Sequence, residues 1–167
     1  SLRSAGDRLT ADISQFMREE HNMLIGDATA EQIKVAIGSA YPLTEELTTQ
    51  VRGRDLLTGL PREITVTSEE VRKAIHRSIK SIVLAIKSTI EETPPELVSD
   101  LLNRSIMITG GGSLLRGIDR IISSETKLSV TIVEDPLTSV VRGCGFVLEH
   151  LDELKQILVS TPKEAYV

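Results

Sequence analysis

The apolar run Ile106-Met107-Ile108-Thr109 passes directly into Gly110-Gly111-Gly112, and no other stretch narrows the possible folds as much. A short apolar segment bounded by glycine reads as a buried strand. Beyond it, Leu114, Ile118, Ile121 and Ile122 recur at helical spacing, Leu128 to Val133 forms a second apolar strand, and Leu137 to about His150 a further helix. This βαβα order predicts two parallel strands joined by a right-handed crossover, and hence an α/β fold. Leu151 to Val159 continues helically, and residues 161–167 read as a frayed tail.

Upstream, the pattern is different. Ser4 and Asp7 stand at capping-box spacing before a helix whose Leu9, Ile13, Phe16 and Met17 form one apolar stripe, with Gly26 as its stop. Thr29 and Gln32 repeat the capping spacing ahead of Ile33, Ala36, Ile37 and Ala40, and Tyr41-Pro42 closes that helix. From Glu45 to Val66 the period drops to two, which predicts a β-hairpin whose loop carries Gly53, Gly59 and Pro61. Arg52-Gly53-Arg54-Asp55 then reads as a basic turn at its tip, a solvated loop or a point of contact for a partner. Thr67 and Glu70 cap a long helix running from Val71 to about Glu92, Thr93-Pro94-Pro95 ends it, and Pro95 opens a short one. Residues 26–92 therefore read as a lobe inserted ahead of the βαβα unit.

Composition removes several classes of function. Aromatic residues make up 2% of the 167 residues, so the core is built from Ile, Leu and Val, and no platform of rings exists for stacking bases. A formal net charge of −5 offers little to a nucleic-acid duplex. Cys144 is the only cysteine, which excludes an intramolecular disulfide or a thiolate zinc cage and fits a reducing, cytosolic setting. His21, His76 and His150 lack metal-ligand spacing, so no metal site is expected. No run approaches the ~18 apolar residues of a membrane helix, and no signal peptide opens the chain.

Two places carry candidate chemistry. Thr109 to Ser113, between strand and helix, allow a ligand close to the backbone, and a following helix N-terminus would suit a phosphate or ribose. A tightly packed βα turn explains the same residues. The pattern is neither the Walker nor the Rossmann motif. Glu31 and Lys34 share a helix face and would bracket a sugar hydroxyl or base edge; a solvated ion pair is the plainer reading. Ser113 reads as a helix cap, not a nucleophile, because no histidine neighbours it. Asp135-Pro136 reads as a cap with a first-turn proline. No Asp-x-Gly triplet for gripping phosphate occurs in the sequence, and no catalytic residue is assigned.

Longer strings carry a resemblance. Ala30 to Leu43 (AEQIKVAIGSAYPL), Val51 to Pro61 (VRGRDLLTGLP), Glu92 to Leu97, Ile108 to Gly117 (ITGGGSLLRG) and Glu134 to Thr138 closely resemble the MreB family of bacterial actin homologues. The similarity covers nearly the whole chain. It implies the second half of an actin-like fold, the fold of actin and the Hsp70 ATPase, with residues 1–25 and 93–167 as an incomplete inner subdomain (IIA) and 26–92 as the outer one (IIB). Gly110, Gly111, Gly112, Ser113 and Leu114 match the family's adenosine motif, and Glu31, Gln32, Ile33 and Lys34 the segment beside adenine and ribose. Asp135 to Gly145 match the helix joining the two halves, with Gly143 and Gly145 as close-packing positions. The family implies ATP or ADP with Mg2+, slow hydrolysis linked to polymerisation, filaments that guide cell-wall synthesis, and a RodZ-like membrane partner. The filaments would lie in the cytoplasm against the membrane, although no membrane segment belongs to this chain. The phosphate loops would lie upstream of Ser1, so the chain alone is expected to be inactive and to bind nucleotide weakly or not at all. An exposed interdomain face would favour self-association. An Hsp70-like or sugar-kinase-like ATPase and a nucleotide-independent adaptor are the rival readings.

Overall fold

The computed structural model describes residues 6–155. Helix α1 (Gly6–His21) is followed by a two-residue strand β1 (Met23–Leu24), helix α2 (Asp27–Ile37), and the hairpin strands β2 (Thr48–Asp55) and β3 (Pro61–Thr67). The long helix α3 (Ser68–Glu91) leads into α4 (Pro95–Asn103) and β4 (Ile106–Ile108). A 3-10 turn (Gly111–Leu114), α5 (Ile118–Thr126), β5 (Val130–Ile132), α6 (Ser139–Glu149) and a single turn α7 (Leu151–Leu154) complete it.

Two sheets result. β1, β2 and β3 form an antiparallel sheet in that order, with Val51 opposite Ile64 and Met23 opposite Asp55. β4 and β5 pair in parallel, Ile106 with Val130 and Ile108 with Ile132, as the βαβα order predicts. One cluster of buried side chains runs through α1 (Leu9, Ile13, Met17), α2 (Ala30, Ile33, Ile37), the first sheet (Met23, Val51, Val66), α3 (Val71, Ile75, Ile79, Val83) and α5 (Ile118, Ile122). The four-residue steps along α3 keep its apolar stripe on one face, and each such aliphatic side chain contributes roughly 1.5–3 kcal/mol on burial.

The expected caps divide. The Thr67 hydroxyl accepts from the Glu70 N–H, and the Glu70 carboxylate accepts from Thr67, which is the predicted capping box. Pro95 is in the first turn of α4. α2, by contrast, starts at Asp27 behind Gly26, with no side-chain cap, so the Thr29–Gln32 box does not form. Ser4 lies outside the described residues, as does the predicted tail.

Other boundaries shift for physical reasons. Gly53 and Arg54 are in β2 and Pro61 is in β3, so the turn is confined to Leu56–Leu60; Arg52 pairs across the hairpin with Glu63 at 3.1 Å. A Cβ at Gly53 would stand 2.7 Å from the Leu24 carbonyl oxygen, so glycine is what lets the missed strand β1 approach. Asp135 has φ 49 and sits with Pro136 in a turn; α6 begins three residues after that proline, behind Thr138. Among the described residues nothing packs closely on Gly143 or Gly145: a Cβ at either would meet no atom within 4 Å, and α6 buries no residue.

Candidate functional site

The α1 N-terminus, the polar face of α2 and the Gly111–Leu114 turn converge on a cavity of about 540 Å3, closed on one side by Leu137. Its lining includes Glu31, Lys34, Gly111, Gly112 and Leu114, five predicted site residues from two segments about 80 positions apart in the sequence. The volume falls in the ordinary range for small-ligand sites.

α2 places Glu31 and Lys34 one turn apart, and both are tied to α1. The Lys34 ammonium lies 2.6 Å from Glu31 Oε2 and donates to the Gly6 carbonyl and to Thr10 Oγ1, each at 3.0 Å. The Thr10 hydroxyl donates to the same Glu31 oxygen at 2.6 Å. Hydrogen bonds from Lys34 and then Thr10 hold the Glu31 carboxyl below the usual carboxylate range. Three acceptors use all three ammonium protons. The Lys34 side chain is 14% exposed and the Glu31 side chain 50%. Lys34 is therefore a structural tether, and Glu31 keeps an open carboxylate oxygen as an acceptor.

The glycine turn supplies the opposite wall. Gly110 has φ 79 and ψ 172, a conformation essentially confined to glycine, and its N–H donates to the Pro136 carbonyl at 2.9 Å. Gly111 and Gly112 have no such conformational need. Among the described residues, a Cβ at Gly112 would meet no atom within 4 Å, and one at Gly111 only Leu137 at 3.6 Å. Packing among the described residues thus does not require glycine at either position; the missing side chains leave room in the cavity. The expectation of a helix with its N-terminus directly after the glycines fails. A four-residue 3-10 turn intervenes, and α5 starts at Ile118.

The remaining predicted residues point elsewhere. Ile33 is 2% exposed in the core. Gln32 lines a separate groove with Thr29, Val51 and Glu63. Ser113 is buried and donates its hydroxyl to the Gly110 carbonyl at 2.7 Å, so it stabilises the turn without capping a helix. Sequence reasoning missed Val35 and Leu137, each 66% exposed on the cavity wall. Val35 carried a signal: it is apolar yet out of phase with the buried Ala30, Ile33 and Ile37 of α2. Arg116 was also missed; its guanidinium donates to the Val35 and Gly38 carbonyls at 3.1 and 3.4 Å and clamps the end of α2 to the turn. No group of three or more His, Cys, Asp or Glu able to hold a metal stands together among the described residues. No helix there is long and apolar enough to cross a membrane.

Comparison with known proteins places these features in context. The pattern described as "MreB/Mbl protein" matches residues 1–156. The cell shape-determining protein Mbl of Bacillus subtilis (strain 168) is 41% identical over 160 residues, 96% of this chain and 48% of that protein. The cell shape-determining protein MreB of Escherichia coli (strain K12) is 46% identical over 152 residues, 91% of this chain and 44% of its own length. The chain thus spans about half the length of these relatives. Among solved structures, MreB5 of Spiroplasma citri bound to ADP superposes with a TM-score of 0.88 at 33% identity, over 93% of this chain and 47% of that one. The MamK double helical filament gives 0.75 at 24% identity, over 89% and 45%, a likeness of fold alone.

Proposed function

The chain belongs to the MreB/Mbl family and carries about half of its actin-like fold, and from that premise we propose that it supplies the adenosine-binding half of a nucleotide cleft in a filament-forming, cell-shape-determining protein. The observation that carries this reading is the cavity wall at Gly111 and Gly112. Two adjacent glycines with no packing reason among the described residues leave space that a ligand can use. In the proposal the open Glu31 oxygen accepts hydrogen bonds from ribose hydroxyls, while Lys34 and Thr10 hold that carboxylate in place. Val35, Leu114 and Leu137 offer apolar surface to the flat faces of adenine. An ADP-bound and a 5′-adenylyl-imidodiphosphate (AMPPNP)-bound MreB5 among the structural neighbours support nucleotide binding in the family.

In the intact protein Mg2+ would accompany the nucleotide's phosphates; among the described residues no group of three or more acidic ligands stands together to hold it without them. Without Asp-x-Gly loops either, the chain alone is expected to release no phosphate from ATP. The intact protein would bind ATP or ADP between its halves, polymerise with copies of itself, and work at the cytoplasmic face of the membrane with a RodZ-like membrane protein and the cell-wall synthesis machinery. Residues 26–92 would form its outer subdomain, and 1–25 with 93–167 the inner one. Family membership sets aside the chaperone and sugar-kinase readings.

The test is a titration of the 167-residue chain with fluorescent ADP, beside Gly112→Leu. The expected affinity is weak, of order millimolar or about −4 kcal/mol, because one wall of the cleft is absent. Gly112→Leu should abolish it at an unchanged unfolding midpoint. Equal binding by the variant would refute the glycine wall.

A further inference from the structure

Thr109 follows the apolar strand β4, and its hydroxyl donates to the Pro136 carbonyl at 3.0 Å, a contact across 27 positions of sequence. The Gly110 N–H donates to the same oxygen at 2.9 Å, and Ser139 Oγ lies 3.1 Å from it. The hydroxyls of Thr109 and Ser139 are also hydrogen-bonded to each other. A carbonyl oxygen has two lone pairs, so three donors exceed its capacity and the hydroxyls relay. Ser139 donates to Thr109, while Thr109 and Gly110 fill the carbonyl. The contact between Ser139 and Pro136 spans three residues and stays within the turn ahead of α6. Among the described residues, the bonds that cross from the end of β4 to the Pro136 carbonyl are those of Thr109 and Gly110.

Two parts of the cavity hang on this crossing. Gly110 has φ 79 and Asp135 φ 49, positive-φ backbones that persist only where their surroundings hold them. The Ser113 hydroxyl and N–H both donate to the Gly110 carbonyl, at 2.7 and 3.1 Å, so fixing Gly110 fixes the Gly111–Leu114 turn. On the other side Leu137 directly follows Pro136, and its Cδ2 lies 3.6 Å from where a Gly111 Cβ would stand. The spacing between the glycine wall and Leu137 is therefore set at the Pro136 carbonyl. We propose that Thr109 is a positioning residue of the cavity, its hydroxyl holding the glycine wall and Leu137 at the separation an adenosine ligand needs, a role that rests on the adenosine reading above. Thr109 does not line the cavity, so it acts through Gly110 and Pro136 and does not touch the ligand. Positioning groups of this kind matter because small displacements of a wall cost affinity.

The experiment uses the 167-residue chain with Thr109→Val, which keeps the shape and removes the donor, and Thr109→Ser, which keeps the donor. Circular dichroism checks that each variant folds, and amide-resolved NMR reads the shifts of Gly112 and Leu114 per millimolar ADP. In Thr109→Val that slope should fall roughly five- to tenfold, the worth of one hydrogen bond, and Thr109→Ser should restore it to within about twofold of wild type. A purely structural role would lower the urea midpoint of Thr109→Val and leave the slope of the folded chain unchanged. That result, or no recovery in Thr109→Ser, overturns the proposal. If the wild-type amides ignore ADP, the adenosine reading fails, and the free protein decides the part played by Thr109. Hydrogen exchange at the Gly110 amide that is roughly five- to tenfold faster in Thr109→Val keeps Thr109 as the residue that sets the wall; unchanged exchange overturns it.

Discussion

The first sheet with α1, α2 and α3 and the second sheet with α6 are made from similar apolar residues but packed to opposite degrees. In the first region Ile13, Met17, Met23, Val51, Val66, Val71 and Ile75 are at most 2% exposed. In the second, Met107 is 67% exposed, Val140 68%, Val141 66% and Leu148 71%. The strands β4 and β5 are covered by α5 on one side, where Ile118 and Ile122 join the main core, while α6 buries no residue against the described parts of the chain. Amphipathic pattern makes an element, but a facing partner makes a core. The cavity with Glu31 and Gly112 lies where the two regions meet, so its α2 wall is firmly held and its glycine wall is braced through Arg116 and the Gly110–Pro136 hydrogen bond.

The strongest way to break this contrast is a matched pair of truncations. Ile75→Ala, at a fully buried position, should cost about 2–5 kcal/mol in urea unfolding, whereas Val141→Ala on α6 should stay within about 0.5 kcal/mol. Equal costs would mean that α6 has a packing partner the account does not include.

Acid provides the next largest test, because several groups titrate together. The Arg72 hydrogen bond lowers Glu46, the Thr58 N–H lowers Asp55, and Lys34 lowers Glu31. Burial opposes the charge on Glu70, but the Thr67 N–H and hydroxyl and then His21 outweigh it. Carboxyls lowered in the folded state add stability that is fully present above the ordinary range near pH 4 and lost as pH falls through the lower native values. All four belong to the first region, so its backbone amides should lose hydrogen-exchange protection below about pH 4. Loss confined to the second sheet would contradict that. A smaller effect is expected for Thr67→Ala, about 1 kcal/mol from the lost α3 cap, read by thermal unfolding.

Much of this was legible in the sequence where local chemistry decides. The Thr67–Glu70 box, Pro95, the α3 stripe and the parallel β4–β5 pair follow from spacing alone. What escaped was decided by tertiary neighbours. β1 exists because Gly53 admits it, and the turn after the glycines stays short because Leu115 and Ile118 are drawn into the main core. Glu31 and Lys34 were recognised as a pair, but only the fold reveals that Thr10 and the Gly6 carbonyl saturate the lysine and leave the glutamate open.

The most direct test of the central claim, a ligand cavity between α2 and the glycine turn, is an amide-resolved NMR titration of the chain with millimolar ADP. Fast-exchange shifts should concentrate at Glu31, Val35, Gly111, Gly112 and Leu114 and spare Gln32 and Thr49, which line the separate groove beside the hairpin. No shifts, or shifts centred on Gln32 and Thr49, would contradict it.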